Sequence, residues 1–509
     1  RRFFSRPTSQ LGHFVQHVDQ IGRHIQFTPA VGLVGDMRGD VRGVGFDEEA
    51  VGRDGMRGAV ALLVPRERDG TGEGKEGAEF CEFRHKVGFA GIGRALRCKL
   101  CNIKVVLDIY TSWPYGMRMI KRDLLHELLA AAREYPVVTV LGPRQSGKTT
   151  LAQSAFADKP YRSLEDPDVR LLAQEDPRGF LADLSGGAVL DEVQRVPNLL
   201  SYIQGMVDKN KRAGQFILTG SHQPEVHQAI SQSLAGRTAL LTLLPFSFQE
   251  LRHYRKNWSA FDLIVKGTFP RLHDRRLQAD RFFNGYIQTY LERDIHSLIH
   301  LKDMRRFQQF LTLLAGRVGQ IINYASLAND VGVSSMTIKD WVSVLSASFI
   351  VFELPPYFEN ISKRVIKSPK LFFVDPGLAA HLAGIHTVQQ VERDPLRGGL
   401  FENLVIAEVL KRQARHGLVP SLFFYRDSHG NEVDLVVRTG RDLIPIEIKS
   451  AATFHPDFCK GIERFRAVTG VRARCGVVFY NGEQKVNYRD TVILNPLRHD
   501  PWDALVGLT

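Results

Sequence analysis

Gly142, Gly147, Lys148 and Thr149 stand in the stretch GPRQSGKTT at the spacing G-x-x-x-x-G-K-[ST]. Phosphate binding is the chemistry that uses this spacing. Glycines let a backbone turn its N–H groups inward, so Gly142, Pro143, Arg144, Gln145, Ser146 and Gly147 would form a cradle for phosphate oxygens, continued by Lys148, Thr149 and Thr150. Lys148 would reach the β- and γ-phosphates, and the Thr149 hydroxyl would bind Mg²⁺. The alternative is a glycine-rich turn that has the spacing by chance. The flanks weigh against it: YPVVTVL reads as a short buried strand and KTTLAQSAFA as the start of a helix.

Asp191 and Glu192 follow in GAVLDEVQRVP, 43 residues after Lys148. They fall at the C-terminal end of an apolar strand, where open α/β sheets place their ligands. Asp191 would support the Mg²⁺ through water, and Glu192 would polarise the attacking water. The plainer reading is a strand end carrying two solvated acids. A further strand in GQFILTGSHQ ends in Thr219 and Ser221, hydroxyls placed to sense a γ-phosphate, although Thr-Gly-Ser turns commonly end strands. Arg237 lies in SLAGRTALLTLLPF, between a helix and another apolar strand. In a homo-oligomer it could enter a neighbour's nucleotide site in trans as an arginine finger. Otherwise it meets its own helix dipole.

The runs GPRQSGKTTLA, YRSLEDPDVRLLAQEDP, AVLDEVQRVPNLL, FILTGS and SLAGRTALLTLLPFSFQEL together resemble a large prokaryotic family of AAA-type P-loop ATPases. KGTFPRL, YIQTYLERDI and LFFVDPGLAAHL resemble the same family, and the likeness covers about residues 117–490. In that family the C-terminal partner domain is one of unknown function. The resemblance implies an AAA sheet with the phosphate-loop strand central, a small helical lid after it, and ATP rather than GTP as the nucleotide.

INYASLANDVGVSSMTIKDWVSVLSASFIVFELPPY reads as a helix-turn-helix with a wing starting at Val351. Leu327 and Ala328 lie on the first helix, Gly332 suits a positive φ in the turn, and Ser334 or Ser335 caps the second helix. As a DNA reader its contacts would be Ser335, Thr337 and Lys339. The other use of a winged helix is packing or subunit contact.

A second constellation lies further on. Glu402 sits in the helical stretch GLFENLVIAEVLKRQ, Asp434 on the strand NEVDLVVRTG, and Glu447 and Lys449 in LIPIEIKS. Strand period puts Glu447 and Lys449 on one face and turns Ile446 and Ile448 to the core. Helix Glu, strand Asp and Glu-x-Lys in this order resemble the restriction-endonuclease-like core. In that fold the acids hold a divalent metal, here a second Mg²⁺ or Mn²⁺ on Glu402, Asp434 and Glu447. Lys449 would be the catalytic lysine that orients water. An exposed cluster of ion pairs, or a nuclease fold that binds without cutting, are the competing readings. Cys475, in RFRAVTGVRARCGVVFYNG, is expected in the core.

These residues imply an α/β chain with five segments. Residues 117–246 are an AAA-type P-loop ATPase domain, 247–300 a helical lid, 301–395 a winged-helix-like region, and 396–498 a small α/β restriction-endonuclease-like domain. Residues 1–116 hold 18 of the chain's 44 glycines and show neither a helical nor a strand period. That segment is expected to be poorly ordered, and translated upstream sequence before a start at Met117 or Met119 would account for it. CKLC, Cys98 to Cys101, has metal spacing but no second pair or histidine cluster to complete it. Over the 509 residues 44% are apolar and 24% charged, so most of the chain should bury cores. The net charge of +12 admits nucleic acid as a partner, with protein partners left open. No run approaches the ~18 apolar residues of a membrane span. Five cysteines and no signal-peptide pattern lead to a cytoplasmic expectation.

Overall fold

The computed structural model describes residues 120–499, apart from 222–229, 231, 256, 292–302, 359–367 and 471–474, together with six strands before them. The chain divides into two units, Arg1–Trp113 and Pro114–Thr509.

In the first unit the described residues are strands: β1 (Val44–Phe46), β2 (Val51–Gly52), β3 (Gly55–Val64), β4 (Glu79–Lys86), β5 (Ala95–Arg97) and β6 (Lys104–Val106). β3 pairs antiparallel with β1, β2 and β4, and β5 pairs with β6. This departs from the expectation of no regular period. The apolar run AVALLV carries the end of β3 through a segment whose glycines otherwise mask any pattern. CKLC, Met117 and Met119 lie outside the described residues.

The second unit is built on a five-stranded parallel sheet. Its strands are β7 (Val137–Leu141), β8 (Tyr161–Ser163), β9 (Ala188–Asp191), β10 (Phe216–Gly220) and β11 (Thr238–Thr242). The order is β11-β7-β10-β9-β8, so the phosphate-loop strand β7 lies inside the sheet between β11 and β10, second from the edge with β10 at the centre. Both faces are covered, which explains the continuous apolar runs. Val138 and Val140 turn toward Leu124, Leu128 and Leu151, while Val137 and Leu141 join Phe180, Leu199 and Phe216 on the other face. In the preceding helix (Leu125–Glu134) Leu128 is fully buried, as is Leu124 at the N-cap.

Four short helices follow, Phe248–Tyr254, Ala260–Lys266, Pro270–Asp274 and Ala279–Tyr286, in the segment expected to form the lid. Next come the helices Met304–Ala315, Tyr324–Val331 and Ser335–Ala347. Gly332 ends the middle one at φ 74°, and the Ser334 hydroxyl accepts from Thr337 N at 3.0 Å to cap the last. Strand β12 (Val351–Leu354) starts at Val351 and pairs antiparallel with β13 (Lys370–Phe373).

The helix Arg397–Arg415 then leads into a six-stranded mixed sheet of β14 (Leu422–Arg426), β15 (Glu432–Thr439), β16 (Asp442–Lys449), β17 (Gly476–Tyr480), β18 (Val486–Tyr488) and β19 (Thr491–Leu494). Its order is β14-β15-β16-β17-β19-β18. β14, β15 and β16 form an antiparallel meander, and β16 runs parallel to β17 after the helix Lys460–Thr469 crosses over. Cys475 does not reach the core: it is exposed, just before β17, where its Sγ lies 2.9 Å from Asp490 O.

One apolar cluster runs from Phe246 to Leu494 and includes Phe283, Phe310, Trp341, Phe372, Phe401 and Ile446. The segments read as lid, winged helix and C-terminal domain therefore share a single core.

Candidate functional site

The loop after β7 leaves the sheet at Gly142, whose φ is 155°. A Cβ there would stand 2.1 Å from Leu243 O, so only glycine lets the loop pass the end of β11 this closely. Gln145 sits at φ 61° and Gly147 at φ 91°, and the helix Lys148–Ala155 starts directly after. From outside, Arg122 grips the loop. It donates to Ser146 O at 2.5 Å and to Leu244 O at 2.6 Å, and pairs with Glu250 at 2.9 Å. Pro143, Arg144 and Thr150 lie on the same loop and first helical turn. The Ser146 Oγ and Gln145 Oε1 atoms are buried without a hydrogen-bond partner, the condition of a polar cradle that a ligand would complete.

Lys148 is buried and folds back over the loop, donating to Gly142 O at 3.0 Å and Pro143 O at 2.9 Å. Burial pulls its ammonium pKa down, and Glu192 and Asp191 push it back toward the charged form. Thr149 donates to both oxygens of Asp191, at 3.1 and 3.0 Å. Asp191 collects two more hydroxyls, Tyr161 at 2.8 Å and Thr219. Burial and then Asp191 raise the Tyr161 pKa, so it stays a donor. Glu192 adopts a left-handed φ of 57°, which a glutamate holds only where its surroundings impose it. The Gln194 side-chain amide donates to the Glu192 carboxylate and, at 2.8 Å, to Ser221 Oγ. Gly142 through Thr149 thus meet Asp191, Glu192, Thr219 and Ser221 at one end of the sheet. Arg237 is elsewhere, on the surface and paired with Asp208 at 2.5 and 2.9 Å.

The second constellation is also assembled. Asp434 on β15 accepts from Ile448 N at 2.8 Å, and Lys449 Nζ lies 3.1 Å from both Asp434 and Glu447. Glu402 joins through Lys370, which pairs with it at 2.9 Å and with Glu432 at 2.6 Å. These groups are not an exposed face: Asp434, Glu447 and Lys370 are buried. Burial, and then the Asp434 charge, push the Glu447 carboxyl up. Burial likewise raises Glu402, with Lys370 opposing. Ser335, Thr337 and Lys339 lie apart, partly or fully exposed on the helix Ser335–Ala347.

Tyr161, Gln194, Arg122, Lys370 and Glu432 escaped the sequence reading. Gln194 carried a faint signal, two residues beyond Glu192. The others come from segments with no spacing relation to the motif they serve.

Three family descriptions match the chain in succession: AAA domain over residues 134–252, Domain of unknown function (DUF8612) over 257–389, and Domain of unknown function (DUF4143) over 397–499. An uncharacterized protein of Mycobacterium tuberculosis is 33% identical over 385 residues, covering 74% of this chain and 83% of the relative. An uncharacterized protein of Methanocaldococcus jannaschii is 24% identical over 324 residues, covering 56% and 65%. Among solved structures, the Walker-type ATPase of Pyrococcus abyssi aligns at a TM-score of 0.35 with 16% identity, over 54% of this chain and 96% of its own. No described helix is long and apolar enough to cross a membrane. The chain is an ATP-binding ATPase of the AAA type, and it belongs to the family of that mycobacterial protein.

Proposed function

We propose that the chain hydrolyses ATP with Mg²⁺ at the end of the parallel sheet and uses the cycle to act on nucleic acid. One observation carries the hydrolytic reading: Thr149 and Asp191, from the phosphate loop and a neighbouring strand end, meet at 3.0 Å with Glu192 held beside them by Gln194. The hard oxygens of Thr149 and Asp191 suit Mg²⁺, which would neutralise charge on the β- and γ-phosphates. Backbone N–H groups of the loop hold the phosphates. Lys148 exchanges its two loop carbonyls for phosphate oxygens. Glu192 takes a proton from the attacking water, while Thr219 and Ser221 position Asp191 and Gln194. Arg237 completes the site only across a subunit boundary, leaving Asp208 to do so.

The nucleic-acid reading rests on the C-terminal cluster. Asp434 and Glu447 with Lys449 occupy the adjacent strands β15 and β16 after the helix Arg397–Arg415, which supports the resemblance to the restriction-endonuclease-like core. Such a cluster takes a second Mg²⁺ or Mn²⁺ on Asp434 and Glu447. A specific observation supports binding without cutting: each of the four acids already faces a lysine ammonium, Glu402 and Glu432 that of Lys370, Asp434 and Glu447 that of Lys449.

The test uses the full chain with end-labelled single- and double-stranded DNA, Mg²⁺ or Mn²⁺, with and without ATP. Glu192→Gln should bind ATP and fail to hydrolyse it. Loss of DNA cleavage in Glu447→Ala would assign the nuclease. DNA binding that survives Glu447→Ala and falls steeply with salt would assign a binding switch. An ATPase rate indifferent to DNA, with no DNA bound, would overturn the nucleic-acid reading in favour of protein remodelling.

A further inference from the structure

Asp280, His381 and His386 come from separate places in the chain and converge at one point of the surface. Asp280 lies in the first turn of the helix Ala279–Tyr286. His381 lies near the end of the helix Pro376–Leu382, and His386 in the turn after it. That turn is fixed: Ile385 is buried, and the His386 and Thr387 N–H groups both donate to Gln390 Oε1, at 2.7 and 3.0 Å. His386 Nδ1 stands 2.7 Å and His381 Nδ1 3.4 Å from Asp280 Oδ1. One ligand atom from each of the three lies within 4.8 Å of the others.

The proton bookkeeping at His381 calls for a cation. Its side chain is 9% exposed, and its Nε2 lies 3.2 Å from Asn284 Oδ1, an atom that only accepts. With Nε2 donating to that oxygen, Nδ1 of the neutral ring is a bare lone pair. That Nδ1 is buried and faces a carboxylate oxygen. A lone pair opposed to a carboxylate repels it unless a positive ion sits between them. The Nε2–H on an amide oxygen is the outer contact that fixes the tautomer of a metal-bound imidazole. Ligand atoms around a tetrahedral ion at 2.0–2.1 Å stand about 3.3 Å apart, close to the separation of His381 and Asp280.

We propose that Asp280, His381 and His386 bind one divalent transition-metal ion of the zinc class. Two imidazoles and one carboxylate favour zinc, cobalt or nickel over Mg²⁺ or Ca²⁺. Three protein ligands leave a fourth position for water. The ion ties the helix Ala279–Tyr286, in the lid segment, to the helix Pro376–Leu382.

The test takes the full chain without an affinity tag, stripped with chelator, beside His386→Ala and Asp280→Asn. Zinc bound after gel filtration is counted by mass spectrometry, and Co²⁺ is followed by visible absorption. The wild type should retain one more equivalent of zinc than either variant. Its additional cobalt band should lack sulfur charge transfer, which separates this site from any cysteine site. Zinc should raise the unfolding midpoint of the wild type by several degrees, and this increment should vanish in both variants. Equal zinc stoichiometry in all three proteins overturns the proposal, whether or not the variants melt lower without metal; Asp280 then makes only an ion pair with the two histidines.

Discussion

Glu192 shows how much a single residue depends on a neighbour outside the motif. Its carboxylate is held by the Gln194 amide, which also holds Ser221. Replacing Gln194 with Ala should lower kcat for ATP roughly tenfold, about 1.4 kcal/mol of barrier, with KM unchanged, because positioning is lost while phosphate contacts remain. Steady-state hydrolysis checks this, and a rise in KM alone would move Gln194 into nucleotide binding. Asp274 gives a second prediction at this scale. Burial pushes its carboxyl up to about 6, with Arg122 and Arg275 opposing, and one oxygen is buried without a hydrogen bond. A carboxyl raised on folding stabilises the fold below its unfolded pKa, and that contribution is lost as pH rises through the folded value. Wild type should therefore lose up to about 3 kcal/mol relative to Asp274→Asn between pH 4 and pH 7. Denaturant midpoints of both proteins at pH 4.5 and 7.5 test the sign, and parallel curves would remove Asp274 as the cause. Asp191 and Glu192 were legible in the sequence because a strand end plus a phosphate loop leaves few roles for two acids. Tyr161 and Lys370 were not, since a lone Tyr or Lys has no pattern until the fold brings it to its acid. Cys475 was misplaced because an apolar run gives a strand's existence more readily than its first buried residue.

At the scale of elements, the parallel sheet and the two helices on either side of Gly332 were readable because each depends on local signals. Continuous apolar runs marked strands buried on both faces, and Gly332 with Ser334 marked the turn and cap. The packing of distant loops carries no such signal. Gly267 and Thr268, in KGTFPRL, lie against Asp375 and Gly377, in FVDPGLAAHL. Asp375 accepts from Thr268 N at 2.6 Å and from its hydroxyl at 2.7 Å. A Cβ on Gly377 would stand 2.5 Å from Gly267 Cα and 2.8 Å from the Phe283 ring. The obstacle is backbone, which cannot swing aside as a long side chain would. Gly377→Ala should cost about 3 kcal/mol, the upper end for overpacking, and should loosen Gly267 and Thr268 with it. Urea unfolding measures the cost. A loss below about 1 kcal/mol would mean that the two segments part easily and that this contact does not hold the lid.

The whole second unit behaves differently from a string of separate domains. The helix Arg397–Arg415 does not merely open the C-terminal sheet; it runs back under the lid and up to the ATPase segment. Glu408 accepts from Phe248 N at 2.9 Å, Lys411 donates to Thr268 Oγ1 at 2.8 Å, and Arg415 reaches Asp123 at 2.8 Å and Gln249 at 2.7 Å. Glu408 and Arg412 form an ion pair whose side chains are both 0% exposed. Leu400, Phe401, Leu404 and Val405 on the same helix enter the apolar cluster shared with Phe283 and Phe310. A boundary at residue 396 is thus a boundary in sequence pattern and not in packing. Removing residues 396–509 would uncover those apolar side chains and strip partners from Phe248 N and from Thr268. The truncated protein should lose hydrogen-exchange protection across 247–286 and aggregate, while the five-stranded sheet, with its own two cores, keeps its protection. A milder version in the intact chain is Glu408→Gln, which removes the carboxylate paired with the buried Arg412 and should cost about 3 kcal/mol. Exchange measured on both proteins separates local from global loss. Protection of 247–286 that survives the truncation would make the lid independent of this helix. Its loss in the truncated protein, with the sheet intact, would make the helix Arg397–Arg415 the member through which a change at the phosphate loop reaches the C-terminal carboxylates.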